Sequence, residues 1–249
     1  MLARVMSVGL LAGLLAGLVI ALVQQVTTTP LILLAESYEK SGTPPTGGAT
    51  SGAPASGAAH SHGGGASEHA HGDAWEPAAG LPRFFYTGIM TIATAVGVCF
   101  LLLAGMLIAG DPIDERHSLA WAVAGFVASG LAPAAGLAPE LPGSASGALV
   151  ARQLWWIGTV AATALALWVF VRMENPLPRL GAVFLLMAPH VIGAPHPHEF
   201  ESRVPAEVAA QFAALSLVVQ GLLWACAGVA VGWLWPRLAP RPAGRVVAS

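Results

Sequence analysis

Six apolar runs separated by polar stretches set the pattern of this chain. Leu2 to Val26 is the first, with Arg4 near its start and Gln24 and Gln25 near its end. Phe84 to Ala109 is the second, stopped by Asp111-Pro112. Leu119 to Leu131 is shorter; it should break at Ala132-Pro133 and again at Pro139-Glu140-Leu141-Pro142-Gly143, since proline removes a donor and ends or kinks a helix. Leu149 to Val171 follows, then a short run from Leu180 to Ile192 interrupted by Pro189, then Ala206 to Trp235. Runs of this length and apolarity predict transmembrane helices. The expected fold is an all-α integral membrane protein with about six transmembrane helices, the third and fifth short and proline-broken.

Four regions follow from the same pattern. Residues 1–38 hold the first transmembrane helix, with Leu31 to Tyr38 extending it beyond the bilayer. Residues 39–83 form a long low-complexity loop, 84–235 a five-helix transmembrane region, and 236–249 a basic tail. The first run is read as a retained span, because a signal peptide has a shorter apolar stretch and a small-x-small cleavage site. Within it Gly9, Gly13 and Gly17 recur every four residues, a small-residue face for close helix packing. LAPAAGLAP (Leu131 to Pro139) and MAPHVIGAP (Met187 to Pro195) echo one another but are read as chance similarity in a chain rich in Ala, Gly and Pro. Carbonyls freed by Pro133 and Pro189 still need partners, which a water-lined cavity can supply.

Composition agrees with the membrane reading. Only 10% of the 249 residues are charged, against roughly 25% in soluble domains, and mean hydropathy is +0.69. The formal net charge of −2 excludes a broad nucleic-acid surface. Cys99 and Cys226 stand alone in apolar runs and read as small core residues. Trp75, Trp155, Trp156, Trp233 and Trp235 lie near run ends, where an interfacial belt would put them. Arg152 and Gln153 at the entrance to the fourth run read as structural, with Arg152 snorkelling to the interface; pairing with Glu140 is the alternative.

The candidate chemistry is metal binding. HSHGGGASEHAH carries His60, His62, His69 and His71, and imidazole and carboxylate suit divalent Co, Ni, Cu and Zn. Glycines let its two H-x-H pairs close on one ion; the alternative is a biased linker with incidental histidines. A second set, His190, His196 and His198 with Glu140 and Glu199, surrounds the end of the fifth run, where Pro195 and Pro197 stiffen the His196–His198 pair. With both termini inside, Arg4, Arg116, Arg172, Arg179, Arg237, Arg241 and Arg245 are cytoplasmic, while Lys40, Arg83, Arg152 and Arg203 are outside. The positive-inside rule favours that orientation. It places all nine candidate ligands, in a cell (inner) membrane, on the outer face.

Taken together, several stretches resemble the CbtA family of predicted cobalt transporter subunits. These are the long first span with its His-rich loop, Trp75-Glu76-Pro77 with Arg83, and Gly125-Phe126. The others are Leu137-Ala138-Pro139-Glu140-Leu141-Pro142-Gly143, Arg152-Gln153-Leu154-Trp155-Trp156 and Gly193-Ala194-Pro195. The resemblance covers most of the chain. It implies Co²⁺ uptake linked to cobalamin synthesis and a small single-span companion subunit with its own histidines. It carries no ligand set, so the metal-site residues rest on this sequence alone.

The expectation is therefore a subunit for uptake of a divalent transition metal, most of all Co²⁺, with Ni²⁺ as the alternative. The metal is the substrate and no cofactor is expected. A membrane-anchored metal-binding or sensing protein that moves nothing is the competing class. No nucleophile–base constellation stands out, so an enzyme is not expected. No G-x-x-x-x-G-K-[ST] is present, so energy does not come from a P-loop in this chain. The expected partners are the metal ion, the bilayer and the companion subunit, with no nucleic acid; a homo-oligomer is left open.

Overall fold

A computed structural model describes residues 1–41, 77, 80–142, 144, 147–197 and 202–239. Most of the described residues are helical, with no strand among them. The elements are α1 (Leu2–Val26), α2 (Thr28–Ser41), α3 (Leu81–Ala109), α4 (Glu115–Phe126), a π turn (Val127–Leu131), α5 (Ala132–Ala134), α6 (Leu149–Arg172), α7 (Pro176–Ile192) and α8 (Ala206–Arg237). Four of them, α1, α3, α6 and α8, are long and apolar enough to cross a membrane, and α7 is a shorter apolar helix. The chain is a membrane protein. Four spans by length, rather than the expected six, are what these helices carry.

Six helical passes nevertheless alternate between two ends of the bundle. At the termini end, the guanidinium of Arg4 donates from Nε to the Trp235 carbonyl at 3.1 Å and lies 4.0 Å above the indole. At the same end the turn after α3 meets the end of α6 through Asp111 and Arg172. At the loop end, Arg83 at the start of α3 pairs with Glu36 of α2, and Leu141 packs with Ala35 and Val204.

The prolines do not act as the sequence suggested. Pro133 does not break its run: α4 passes into the π turn and on through α5, with Ala132 N–H donating five residues back to Val127. The extra residue of a π turn absorbs the register change that a proline imposes. Pro189 likewise sits inside α7, which continues to Ile192. The break comes earlier in the chain, at Thr27. Pro30 has no N–H for the Val26 carbonyl, so the first helix stops and α2 begins as a separate element packed on the first turns of α8. It is not a straight extension of α1.

Glycine sets the tightest contacts. Gly9, Gly13 and Gly17 are buried against α3, where a Cβ on each would run into Phe100, Val96 and Ile92 respectively. The predicted small-residue face is thus the α1–α3 interface. Gly228 and Gly232 of α8 do the same for α4: a Cβ on Gly228 would lie 2.7 Å from the Ala122 methyl, and one on Gly232 2.6 Å from Glu115 Cα. Around these contacts α1, α3, α4 and α8 form one core, including Val8, Leu103, Met106, Trp224 and Val231. Outside it, α6 and α7 pack on each other as a hairpin that meets the rest mainly along the π turn and α5.

The interfacial tryptophan belt is only partly realised. Trp235 is 8% exposed beneath Arg4, and Trp155 is half-buried against Gly136. Trp156 and Trp233 are exposed, as a belt requires, and Trp75 lies outside the described residues.

Gly13→Ala should therefore destabilise the protein by about 1–3 kcal/mol, because the new methyl meets the Val96 backbone and one helix must shift. Gly97→Ala, where nothing lies within 4 Å, should be neutral or stabilising by up to about 1 kcal/mol. Unfolding of both variants in detergent against the parent measures the difference; equal stabilities would show that the helices do not depend on this contact.

Candidate functional site

The segment after α4 lines a cavity at the loop end whose wall is largely apolar with a few polar groups. Pro133 offers no N–H to the Ser129 carbonyl, and the side chain of Gln220, on α8, donates to that carbonyl at 3.5 Å. Gly130 makes room for it, since a Cβ there would lie 2.7 Å from Gln220 Oε1. Ser129 in turn bonds back to the Gly125 carbonyl at 2.8 Å. The carbonyl that proline frees thus finds its partner in a side chain of α8.

From α5 the chain turns through Leu137 to Glu140, whose carboxylate meets Arg152 in the first turn of α6 at 2.6 Å. Arg152 takes the carboxylate partner that was the alternative reading, while its Nε is buried with none. These residues, with Gln153 and Trp156 of α6 and Leu217 of α8, line a cavity of about 550 Å³. At ~30 Å³ per water, it has room for a cation and a full water shell.

Of the expected metal ligands among the described residues, Glu140 alone lies on this cavity wall. His190 stacks edge-on against Trp155 with ring centroids 5.9 Å apart, and the Trp155 indole N–H donates to the Pro189 carbonyl at 3.1 Å. His196 passes with its backbone beside Gly147. Both histidines therefore sit at the cavity's end of the bundle. His60, His62, His69, His71, His198 and Glu199 lie outside the described residues. Among the described residues no three His, Cys, Asp or Glu side chains converge as a ready metal centre.

A second cavity, of about 330 Å³, lies at the termini end between α3, α4, α6 and α8. Asp111 Oδ2 accepts from Arg172 Nη2 at 2.5 Å and from the Trp121 indole at 2.8 Å, and Arg172 also lies over the Trp168 ring. The sequence reading missed this group and Gln220. Gln220 had a signal, an isolated amide deep in an apolar run. Asp111 and Arg172 had none, being 61 residues apart with each reading as an ordinary helix-end charge. Nearby, Asp114 caps α4 through the His117 N–H at 2.9 Å.

A family model described as "Probable cobalt transporter subunit (CbtA)" matches residues 2–236. No curated protein and no solved structure matches the chain.

The hydrogen bond from Arg172, with that from Trp121, holds the Asp111 carboxyl below its usual range. A carboxyl depressed in the folded state stabilises above its unfolded pKa, and the benefit is lost as pH falls through the lowered value. Asp111→Asn should be less stable than the parent by a constant margin from pH 7 to about 5, and the margin should close as pH falls below about 4. Detergent melting curves across that range check the sign; a margin that widens in acid would rule out the pair as its source.

Proposed function

The chain belongs to the CbtA family of probable cobalt transporter subunits, and we propose that it is the membrane subunit through which a divalent transition metal, Co²⁺ first and Ni²⁺ second, enters the cell. The family match over residues 2–236 carries this reading. The loop-end cavity supports it: its largely apolar wall carries the Gln153 and Gln220 amides and the Glu140 carboxylate, oxygens that a hydrated cation can use inside a bilayer. A subunit implies a partner, and a small single-span companion is proposed. Six passes, with both termini cytoplasmic, put the cavity, His190 and His196 on the outer face of the cell membrane. The helix from Glu115 to Ala134 is continuous, and at 1.5 Å per residue its length of about 30 Å matches the hydrocarbon core.

In this arrangement His60, His62, His69 and His71 concentrate metal at the entrance. His190, His196, His198, Glu140 and Glu199 hand it to the cavity. A divalent cation moving to a negative interior gains about 4.6 kcal/mol per 100 mV, twice the single-charge figure. That suffices to concentrate it more than about a thousandfold, since each 1.4 kcal/mol is tenfold.

Deleting His60 to His71 should raise the Co²⁺ concentration for half-maximal uptake and leave maximal uptake largely intact; loss of uptake at saturating metal would place the loop in the path itself. Alanine at His196 and His198 together should abolish uptake with normal amounts of protein in the membrane. Uptake into voltage-clamped vesicles, with and without the companion, should fall as the external medium is acidified, because protons compete with metal for imidazole. A flat profile from pH 7 to 5 would reject histidine as the controlling ligand. Labelled-metal counterflow separates transport from mere binding: a chain that only senses metal shows none.

A further inference from the structure

The two cavities lie one after the other along a single seam. On the scaffold side the wall is continuous: Ala124, Gly125 and Ala128 line the termini-side cavity, and Ser129, Gly130 and Pro133 line the loop-side one. The opposite wall is α6, through Ala164 and Trp168 at one end and Gln153 and Trp156 at the other. What divides them is a small plug. Trp224 of α8 packs on Gly125, and one turn away Gln220 packs on Gly130, with Phe126 wedged between Gly130 and Gly221.

Each end of the seam carries an arginine–carboxylate pair, and the two are built alike; at the termini end His117, paired with Asp114, also lines the cavity. Each joins an arginine at one end of α6 to a carboxylate on the scaffold side: Arg152 to Glu140 at 2.6 Å, and Arg172 to Asp111 at 2.5 Å. All four side chains are only about a fifth to a third exposed, so both pairs are partly withdrawn from water. The elements between them differ in how tightly they are held. α4 is locked to α8 through Gly228 and Gly232, whereas α7, among the described residues, packs mainly on α6. The α6–α7 hairpin is therefore the separable body, and the π turn is the irregular backbone it rests on.

We propose that this seam is the path of the divalent cation and that Glu140–Arg152 and Asp111–Arg172 are its outer and inner gates, opened in turn as the α6–α7 hairpin rocks on the π turn. The proposal rests on the transport reading above. With both pairs formed, the described arrangement is the closed state between two openings. An arriving cation competes with Arg152 for Glu140. Arg152 has a buried Nε with no partner in the closed state, so leaving Glu140 also lets it recover hydration. The rocking that parts Arg152 from Glu140 presses the opposite end of α6 onto Asp111, which keeps one gate shut while the other opens.

The test reads access at each cavity separately from metal uptake. Cys99 and Cys226 are replaced by alanine, and single cysteines are placed at Ala134, in the loop-side cavity, and at Ala124, in the termini-side cavity. A membrane-impermeant thiol reagent is applied from either side of oriented proteoliposomes. Glu140→Gln should speed labelling at position 134 from the loop side several-fold and slow it at 124 from the termini side; Asp111→Asn should do the reverse. The charge exchange Glu140→Arg with Arg152→Glu, which keeps a pair, should restore slow labelling at position 134 and serves if the single variant fails to insert. Gate variants that change both positions in the same direction, or neither, overturn the proposal, as does a charge exchange that labels as fast as the single variant. Co²⁺ uptake by the same vesicles without substitutions at the gates separates the two readings. Uptake with unresponsive labelling removes the gates alone, whereas no uptake in the presence of the companion removes the transport reading and the path with it.

Discussion

In a bilayer the lipid tails are as apolar as leucine, so helices gain little by burying leucine against leucine. What holds α1 to α3 and α4 to α8 is backbone approach, which dispersion rewards only where no side chain intervenes. Gly9, Gly13 and Gly17 on one helix and Gly228 and Gly232 on another supply that approach, and the Val8, Leu103, Met106 and Val231 core fills the space left between. The rest of the structure depends on this. Because four helices are fixed by close contact, the other two passes, α6 and α7, can be held more loosely without loss of the whole.

The α6 seam is built on the opposite plan. It meets the scaffold through bulky aromatics such as Trp155, packed on Gly136, and through charged pairs at its ends, with cavities between. A partly buried ion pair contributes little net stability, because desolvating the partners offsets their attraction. Its value is directional: breaking it leaves a poorly solvated charge unless something replaces the partner. A seam of cavities and ion pairs therefore resists sliding apart at random, yet yields when a competing ion or water arrives.

How far the sequence carried can be read from particular residues. The six apolar runs and the glycine repeat of α1 were legible because both depend on local spacing, and periodicity of that kind needs no knowledge of the partner helix. The behaviour of Pro133 was misjudged because whether a proline breaks a helix depends on a neighbour. Here a π turn takes up the register change and Gln220, ninety-one residues away from Ser129, serves the freed carbonyl. Trp155 and Trp235 read as interface anchors for the same reason: their positions at run ends were visible, but Gly136 and Arg4, which bury them, were not. Pairing of Glu140 with Arg152 was conceivable from charge alone. Asp111 with Arg172 was not, since nothing local singles out either residue. The histidine-rich loop stays where the sequence left it, outside the described residues.

A path for a divalent cation faces opposing demands that the seam's chemistry addresses together. A fixed, unpaired carboxylate in a low-dielectric cavity would bind the ion too well and hold it, and conduction needs binding weak enough for release. A cavity of neutral oxygens alone would bind too weakly to draw the ion from water. A carboxylate already paired with arginine lies between these limits. It presents negative charge only as the arginine withdraws, so its affinity for metal is reduced by the strength of the pair it must break. Arginine suits that duty better than lysine or histidine because its planar fork matches a carboxylate and its charge is permanent. In the proposed scheme protons compete at capture, on histidine, while the gates answer to the ion. The separation explains why charges so costly to place near a membrane are found at both ends of one helix and nowhere along its middle.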